Sequence, residues 1–119
     1  MLDNIQKSYI RKESIFGPDN YKPLPVVLSK AKGVWVWDVN DEKYIDMMSG
    51  YSAVSHGHAH PELLRVFHEQ SSRLSLTSRA FYTDTLGPYL ETITKMSKFE
   101  MCLPMNAGAE AVETAIKSS

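Results

Sequence analysis

Two turn signals bracket one apolar run. Lys32-Gly33 and Asn40-Asp41 flank Val34-Trp35-Val36-Trp37. β-Branched and aromatic residues suit a pleated strand. Asn and Asp tolerate the left-handed backbone that a tight hairpin turn needs. Val26–Ala31 before this run and Lys43–Met47 after it also read as strands. The three together predict a small antiparallel meander over 26–48. Upstream, Pro23 and Pro25 force an extended segment around Leu24, and Phe16-Gly17-Pro18-Asp19-Asn20 reads as a turn. Asp3–Lys12 reads as a short helix with weak apolar spacing.

The pattern changes at Ser49-Gly50. Tyr51–His60 has no clear period and is rich in Ser, Gly and His, so a loop is predicted. Pro61 suits the first position of a helix. Leu63, Leu64, Phe67 and Leu74 fall on one face of that helix, and Arg65 and Glu69 pair on the other. Leu76–Thr83 reads as a second loop. Gly87-Pro88 opens another helix, with Leu90, Ile93 and Met96 facing inward. Phe99–Met105 reads as a short buried strand, and Ala109–Lys117 as a helix. Hairpins first, then helix, helix, strand and helix, predict a mixed α/β chain: an antiparallel piece followed by the start of an α/β layer.

At 119 residues, with 43% hydrophobic and 23% charged side chains, the chain is long enough for one small domain with its own core. A net charge of −1 gives no electrostatic case for nucleic acid or an anionic membrane. One cysteine, Cys102, rules out an internal disulfide and fits a reducing compartment. There is no apolar run long enough for a membrane helix. Met1–Lys12 lacks the apolar stretch of a signal peptide and, with Asp3 present, the acid-poor character of a transit peptide. A cytoplasmic protein is expected.

The strongest chemical signal is Met105-Asn106-Ala107-Gly108-Ala109-Glu110, an apolar strand running into a helix through a glycine. Free N–H groups and the helix dipole make such a start an anion site, though a plain strand-to-helix connection reads the same way. His56, His58 and His60 alternate and suit a metal. However, no cysteine or carboxylate cluster completes a set, and Gly57 and Pro61 read as loop and helix-start punctuation; no metal is expected. His60 reads as a capping or packing residue. Tyr21 and Tyr51, in loops flanking the meander, offer an apolar ring and a hydroxyl for a small polar ligand, or serve as anchors. Arg79 could bind an anion or sit in an interface. Cys102, Trp35 and Trp37 read as core or interface residues.

Several ordered segments together resemble one family. Asn20-Tyr21-Lys22-Pro23-Leu24-Pro25-Val26, Gly33-Val34-Trp35-Val36-Trp37-Asp38-Val39, Tyr51-Ser52-Ala53-Val54, Gly57-His58-Ala59-His60-Pro61, Leu76–Tyr82 and Leu103-Pro104-Met105-Asn106 are similar, in order, to the N-terminal part of the class III pyridoxal-phosphate-dependent aminotransferases, on the branch that acts on ornithine. The resemblance implies the type I aminotransferase fold, with residues 1–50 as the N-terminal segment and meander of the small domain and 51–119 as the start of the large cofactor-binding domain. It implies pyridoxal 5'-phosphate as cofactor, held at its phosphate by Ala107, Gly108 and Ala109. It places Tyr21 near the substrate's α-amino and α-carboxylate end and gives Tyr51 the choice of ornithine over related ω-amines. The implied reaction moves the δ-amino group of ornithine to 2-oxoglutarate, giving glutamate 5-semialdehyde and glutamate, in a homodimer.

There are departures from the family pattern. Ala107 stands where many relatives carry Ser or Thr, so Asn106 is expected to cap the helix instead. Ser55-His56 replaces an Asn-Gln pair, and Asn40-Asp41 a turn with glycine. The family's cofactor-bonding lysine, the acid that pairs with the pyridine nitrogen and the aromatic that stacks on the ring are expected beyond residue 119, and Lys117 does not match the lysine motif. No catalytic residue is therefore assigned, and the chain reads as an N-terminal portion, inactive by itself. Two other readings stay open. One is an acetylornithine or other ω-amino-acid aminotransferase. The other is a non-catalytic assembly fragment docking through the Trp35/Trp37 strands and the Ser78–Tyr82 loop.

Overall fold

A computed structural model describes residues 3–119. Its elements are α1 (Asn4–Phe16), β1 (Leu28–Lys32), β2 (Trp35–Asp38), β3 (Lys43–Ile45), α2 (Ser49–Ser52), α3 (Pro61–Arg73), α4 (Leu86–Ser97) and α5 (Gly108–Ser118). The strands form one antiparallel sheet in the order β1-β2-β3, so the mixed class and the meander are as expected. The chain divides into two compact units, Met1–Ser75 and Leu76–Ser119.

In the first unit, Asp3 caps α1: its Oδ1 accepts from the Gln6 N–H at 2.8 Å. The helix continues past Lys12 until the Gly17 N–H closes on the Glu13 carbonyl at 2.7 Å. The meander pairs Ala31 with Val36 and Lys32 with Trp35 on one side, and Trp35 with Ile45, Val36 with Tyr44 and Trp37 with Lys43 on the other. β1 begins at Leu28 rather than Val26 because the Val26 N–H donates to the Leu24 carbonyl across Pro25, at 2.8 Å. β3 stops at Ile45 rather than Met47 because the Asp46 Oδ1 accepts from the Met48 and Ser49 N–H groups, both at 2.9 Å, and turns the chain.

One carboxylate closes this unit. Asp38 is fully buried. Its Oδ1 accepts from the Asn40 and Glu42 N–H groups at 2.9 Å each. Its Oδ2 accepts from the Gln6 amide at 2.9 Å and the Tyr44 hydroxyl at 3.2 Å. A buried charge is tolerated only when hydrogen-bonded, and here the bonds join the β2–β3 turn, β3 and α1. Burial, reinforced by Glu42 and Asp38, pushes the Tyr44 hydroxyl up to about 12.

The β1–β2 turn carries Gly33 with φ +58°. Gly33 exchanges two backbone hydrogen bonds with His58, each 2.8 Å. Gly57 must be glycine there: its φ is +84°, and a Cβ would come within 3.2 Å of the Gly33 Cα.

α3 begins with Pro61 at its first turn, as the sequence predicts. Arg65 lies 2.8 Å from Glu69 and 3.0 Å from Glu62. His60 precedes α3 but makes no side-chain cap; its carbonyl accepts from the Leu64 N–H.

In the second unit, Lys98 ends α4 in the left-handed region, with its N–H on the Thr94 carbonyl at 2.9 Å. Leu90 and Ile93 are half-buried, whereas Met96, expected inward, is 76% exposed. The strand expected over Phe99–Met105 does not form. Extended backbone needs a partner ladder; none pairs here among the described residues, and Pro104 has no N–H to donate. Met101 and Leu103 are accordingly exposed, with Cys102 half-buried.

The expected core is also absent. Among the described residues Val36 is the only buried hydrophobic side chain. The predicted apolar face of α3 exists, but Leu63, Leu64, Phe67 and Leu74 on it are all exposed. No helix among the described residues is long and apolar enough to cross a membrane.

Candidate functional site

The structure joins the two tyrosines singled out in the sequence. Their hydroxyls lie 2.9 Å apart, within hydrogen-bond distance, although 30 residues separate them. Both side chains are otherwise largely exposed, Tyr21 at 68% and Tyr51 at 77%. The hydrogen bond to Tyr21, then the charge of that neighbouring phenol, raises the Tyr51 hydroxyl above its ordinary value. The pair offers two polar atoms side by side: one O–H remains free to donate, and both oxygens can still accept.

Tyr51 reaches this position from an unusual backbone. The predicted loop begins with α2, and α2 is a left-handed turn. Ser49, Gly50, Tyr51 and Ser52 have φ of 49°, 53°, 56° and 74°. Only glycine takes that region freely; other residues lose about 1–2 kcal/mol each. Such strain persists only where surroundings impose it. Here Asp46 does so. Its Oδ1 binds the N–H groups of Met48 and Ser49, and its Oδ2 accepts from the His58 Nε2 at 2.7 Å. The His58 bond, then those two amides, hold the Asp46 carboxyl below the usual carboxylate range. No sequence pattern marks this turn; the only hint is Gly50.

The three histidines separate. His58 faces Asp46, while His56 and His60 meet edge to face at 6.3 Å. With Lys32, Trp35, Trp37 and Pro61 they line an open groove of about 320 Å³. No group of three metal-ligating side chains is found among the described residues. Lys43 lies 3.8 Å over the Trp35 ring, a cation–π contact that covers the aromatic face of the sheet.

In the second unit, α5 starts at Gly108, with Ala107 as its cap residue. Asn106 therefore does not cap, contrary to expectation. The Ala107 carbonyl accepts from the Ala111 N–H at 3.0 Å, which fixes the cap one residue later than Asn106. Glu110 supplies half of a capping box: its carboxylate accepts from the Asn106 and Ala107 N–H groups at 3.0 and 3.1 Å. Ala107 has no acceptor to return. The amides of Gly108 and Ala109 lie in the first turn, where the helix offers no carbonyl, and a Cβ on Gly108 would meet nothing within 4 Å. Two outward amides at a positive helix end, with open space above a glycine, suit a phosphate. Ala107→Ser should complete the box and stabilise α5 by about 0.5–2 kcal/mol. Slower amide exchange at Glu110 and Ala111 would report this, and an unchanged rate would show that the cap lies elsewhere. Lys117, at the other end of α5, pairs with Glu113 at 2.5 Å.

The class III aminotransferase family profile matches residues 16–119. The chain belongs to the class III aminotransferases. It is 51% identical to an ornithine aminotransferase of Bacillus cereus (strain Q1) over 95% of its own length and 28% of that protein's. Among solved structures, the acetylornithine aminotransferase of Elizabethkingia anophelis aligns with a TM-score of 0.89 and 53% identity, over 94% of this chain and 28% of that one. The ornithine aminotransferase of Toxoplasma gondii, with partial occupancy of PLP at its active site, aligns with a TM-score of 0.91 and 40% identity, over 94% and 26%. This class III aminotransferase chain thus spans about a quarter of the relatives it matches, and the alignment is to their N-terminal part.

Proposed function

We propose that these residues are the N-terminal portion of an ornithine aminotransferase, which passes the δ-amino group of L-ornithine to 2-oxoglutarate and yields glutamate 5-semialdehyde and glutamate. The observation that carries this reading is the Tyr21–Tyr51 pair, with hydroxyls 2.9 Å apart. Ornithine's α-amino and α-carboxylate groups need several polar partners at the end remote from the reacting amine, and adjacent hydroxyls can donate to one and accept from the other. A site built to hydrogen-bond a group discriminates strongly against substrates that lack it. Ala107, Gly108 and Ala109 would hold the phosphate of pyridoxal 5'-phosphate, the last two by their amides. When bound, that cofactor supplies the electron sink for amino transfer. In this reading residues 1–50 belong to the small domain and 51–119 open the large one. The active protein is a cytoplasmic homodimer, and residues 1–119 alone are inactive.

The Elizabethkingia relative favours a second reading, an acetylornithine aminotransferase. Turnover of ornithine and N-acetylornithine by the full-length protein carrying this segment decides between them. A free α-ammonium should be preferred by about tenfold or more, the worth of one charge-assisted hydrogen bond. Preference for the acetylated amine would overturn the ornithine reading.

A further inference from the structure

We infer that Asp46 is the positioning residue for the tyrosine pair: its carboxylate, clamped by His58, holds Ser49–Ser52 in the left-handed turn that presents the Tyr51 hydroxyl to Tyr21. This rests on the proposed substrate role of the two tyrosines but concerns what sets their geometry.

The turn's internal hydrogen bonds do not explain its hand. The N–H of Tyr51 donates to Met48 and that of Ala53 to Gly50, at 2.9 and 3.2 Å. Bonds of that kind close right-handed turns equally well. Right-handed backbone is the cheaper state for Ser49, Tyr51 and Ser52, so something outside the turn must choose. Asp46 is placed to do so. It is the residue directly after β3, and its own N–H is fixed on the Val34 carbonyl at 2.9 Å. Its Oδ1 gathers the two amides that lead into the turn. Its Oδ2 is held from the far side by His58, whose backbone is in turn bonded to Gly33. The carboxylate is mostly buried, with 16% of the side chain exposed against 25% for His58, so water competes weakly for either contact. If the turn relaxed to the right-handed region, the Tyr51 Cβ would leave along a different direction and the hydroxyls would part.

The test uses the full-length protein with Asp46→Ala, Asp46→Asn and His58→Ala. The first readout is the ultraviolet titration of Tyr51, isolated by subtracting the same protein carrying Tyr51→Phe. The second is the ratio of kcat/KM for ornithine to that for 5-aminopentanoate, which lacks the α-amino group. Asp46→Ala should return Tyr51 towards the ordinary tyrosine value of about 10 and lower the ratio by about tenfold. Asp46→Asn keeps an amide oxygen for Met48 and Ser49 and should restore both. His58→Ala, which leaves the backbone bridge to Gly33 intact, should move both part-way. Tyr44, held high by burial and neighbouring carboxylates outside the turn, is the internal control. If it also falls in Asp46→Ala, the sheet has opened, and His58→Ala is read in its place by the same criteria. A Tyr51 titration that does not move overturns the inference, whatever happens to activity. A titration that moves while the ratio stays constant upholds the positioning by Asp46 and removes the tyrosines from substrate choice.

Discussion

Asp38→Ala should loosen the whole meander, at a cost of about 3 kcal/mol to its local stability. The figure follows from which donors are left behind. The Asn40 and Glu42 amides belong to exposed residues and can turn to water. The Gln6 amide and the Tyr44 hydroxyl cannot do so easily, since Gln6 is 7% exposed and Tyr44 half-buried. A buried donor without an acceptor costs about 1–3 kcal/mol, and there are two. Loss of the only side-chain hydrogen bond from Gln6 among the described residues also releases α1, whose one buried residue is Gln6. Asp38→Asn should cost about 1 kcal/mol, because its amide oxygen still closes the turn, its NH₂ can donate to the Tyr44 oxygen, and a flip of the Gln6 amide turns the otherwise unpartnered Gln6 Oε1 towards that NH₂ as acceptor. Hydrogen exchange at the Val39 and Asp46 amides reads this directly, since both donate across strands to Val27 and Val34 at 2.9 Å. Exchange about a hundredfold faster in Asp38→Ala and several-fold faster in Asp38→Asn is expected. Equal effects of the two substitutions would mean that carboxylate charge, rather than acceptor geometry, holds the sheet.

What could be read in the sequence was what local chemistry decides. Pro61 and the Arg65–Glu69 pair marked α3, and the turns around Gly33 and Asp41 marked the meander, because those residues are used for backbone and spacing reasons that need no distant partner. Strand ends were read less well. Val26 lies in a β-favouring run, yet its N–H is captured by a turn that Pro25 enforces. Asp46 reads as a polar residue at the edge of a strand but acts as a turn-former. Phe99–Met105 failed for the opposite reason: an apolar run says that a segment should be covered and not what covers it. The same gap explains the missing core. Leu63, Leu64 and Phe67 make a sound amphipathic pattern, and the pattern carries no partner with it.

The candidate site shows the same division. The start of α5 could be placed from its own neighbourhood, since a helix start is a local feature, although its cap fell one residue later than the Asn106 side chain suggested. Tyr21 and Tyr51 drew attention separately. Their pairing depends on a left-handed turn in which three of four residues act against preference, imposed by an aspartate and a histidine twelve positions apart. Departures of this kind from local consistency gather where a side chain has to be aimed. The family resemblance implied a role for each tyrosine, and the fold sets their hydroxyls side by side.

Gly108→Pro should separate the proposed anion-binding role of α5 from its helical role. Gly108 is the first residue of the helix, the position where proline is best tolerated, because its φ is already suitable and no intrahelical bond uses the amide. The helix should therefore survive or gain slightly. What is lost is one N–H proposed to hold the phosphate. A hydrogen bond to a charged group is worth about 1.5–3 kcal/mol, so the affinity of the full-length apoprotein for pyridoxal 5'-phosphate, followed by fluorescence titration, should fall about ten- to a hundredfold. Gly108→Ala is the companion. It keeps the amide, and its Cβ meets no protein atom within 4 Å, so any loss of affinity there measures how closely the phosphate approaches the glycine. Weaker binding by the proline variant, with amide protection in Ala111–Thr114 maintained, locates the phosphate on the α5 amides. Unchanged affinity in Gly108→Pro would remove Gly108 from the site and leave α5 as an ordinary helix start.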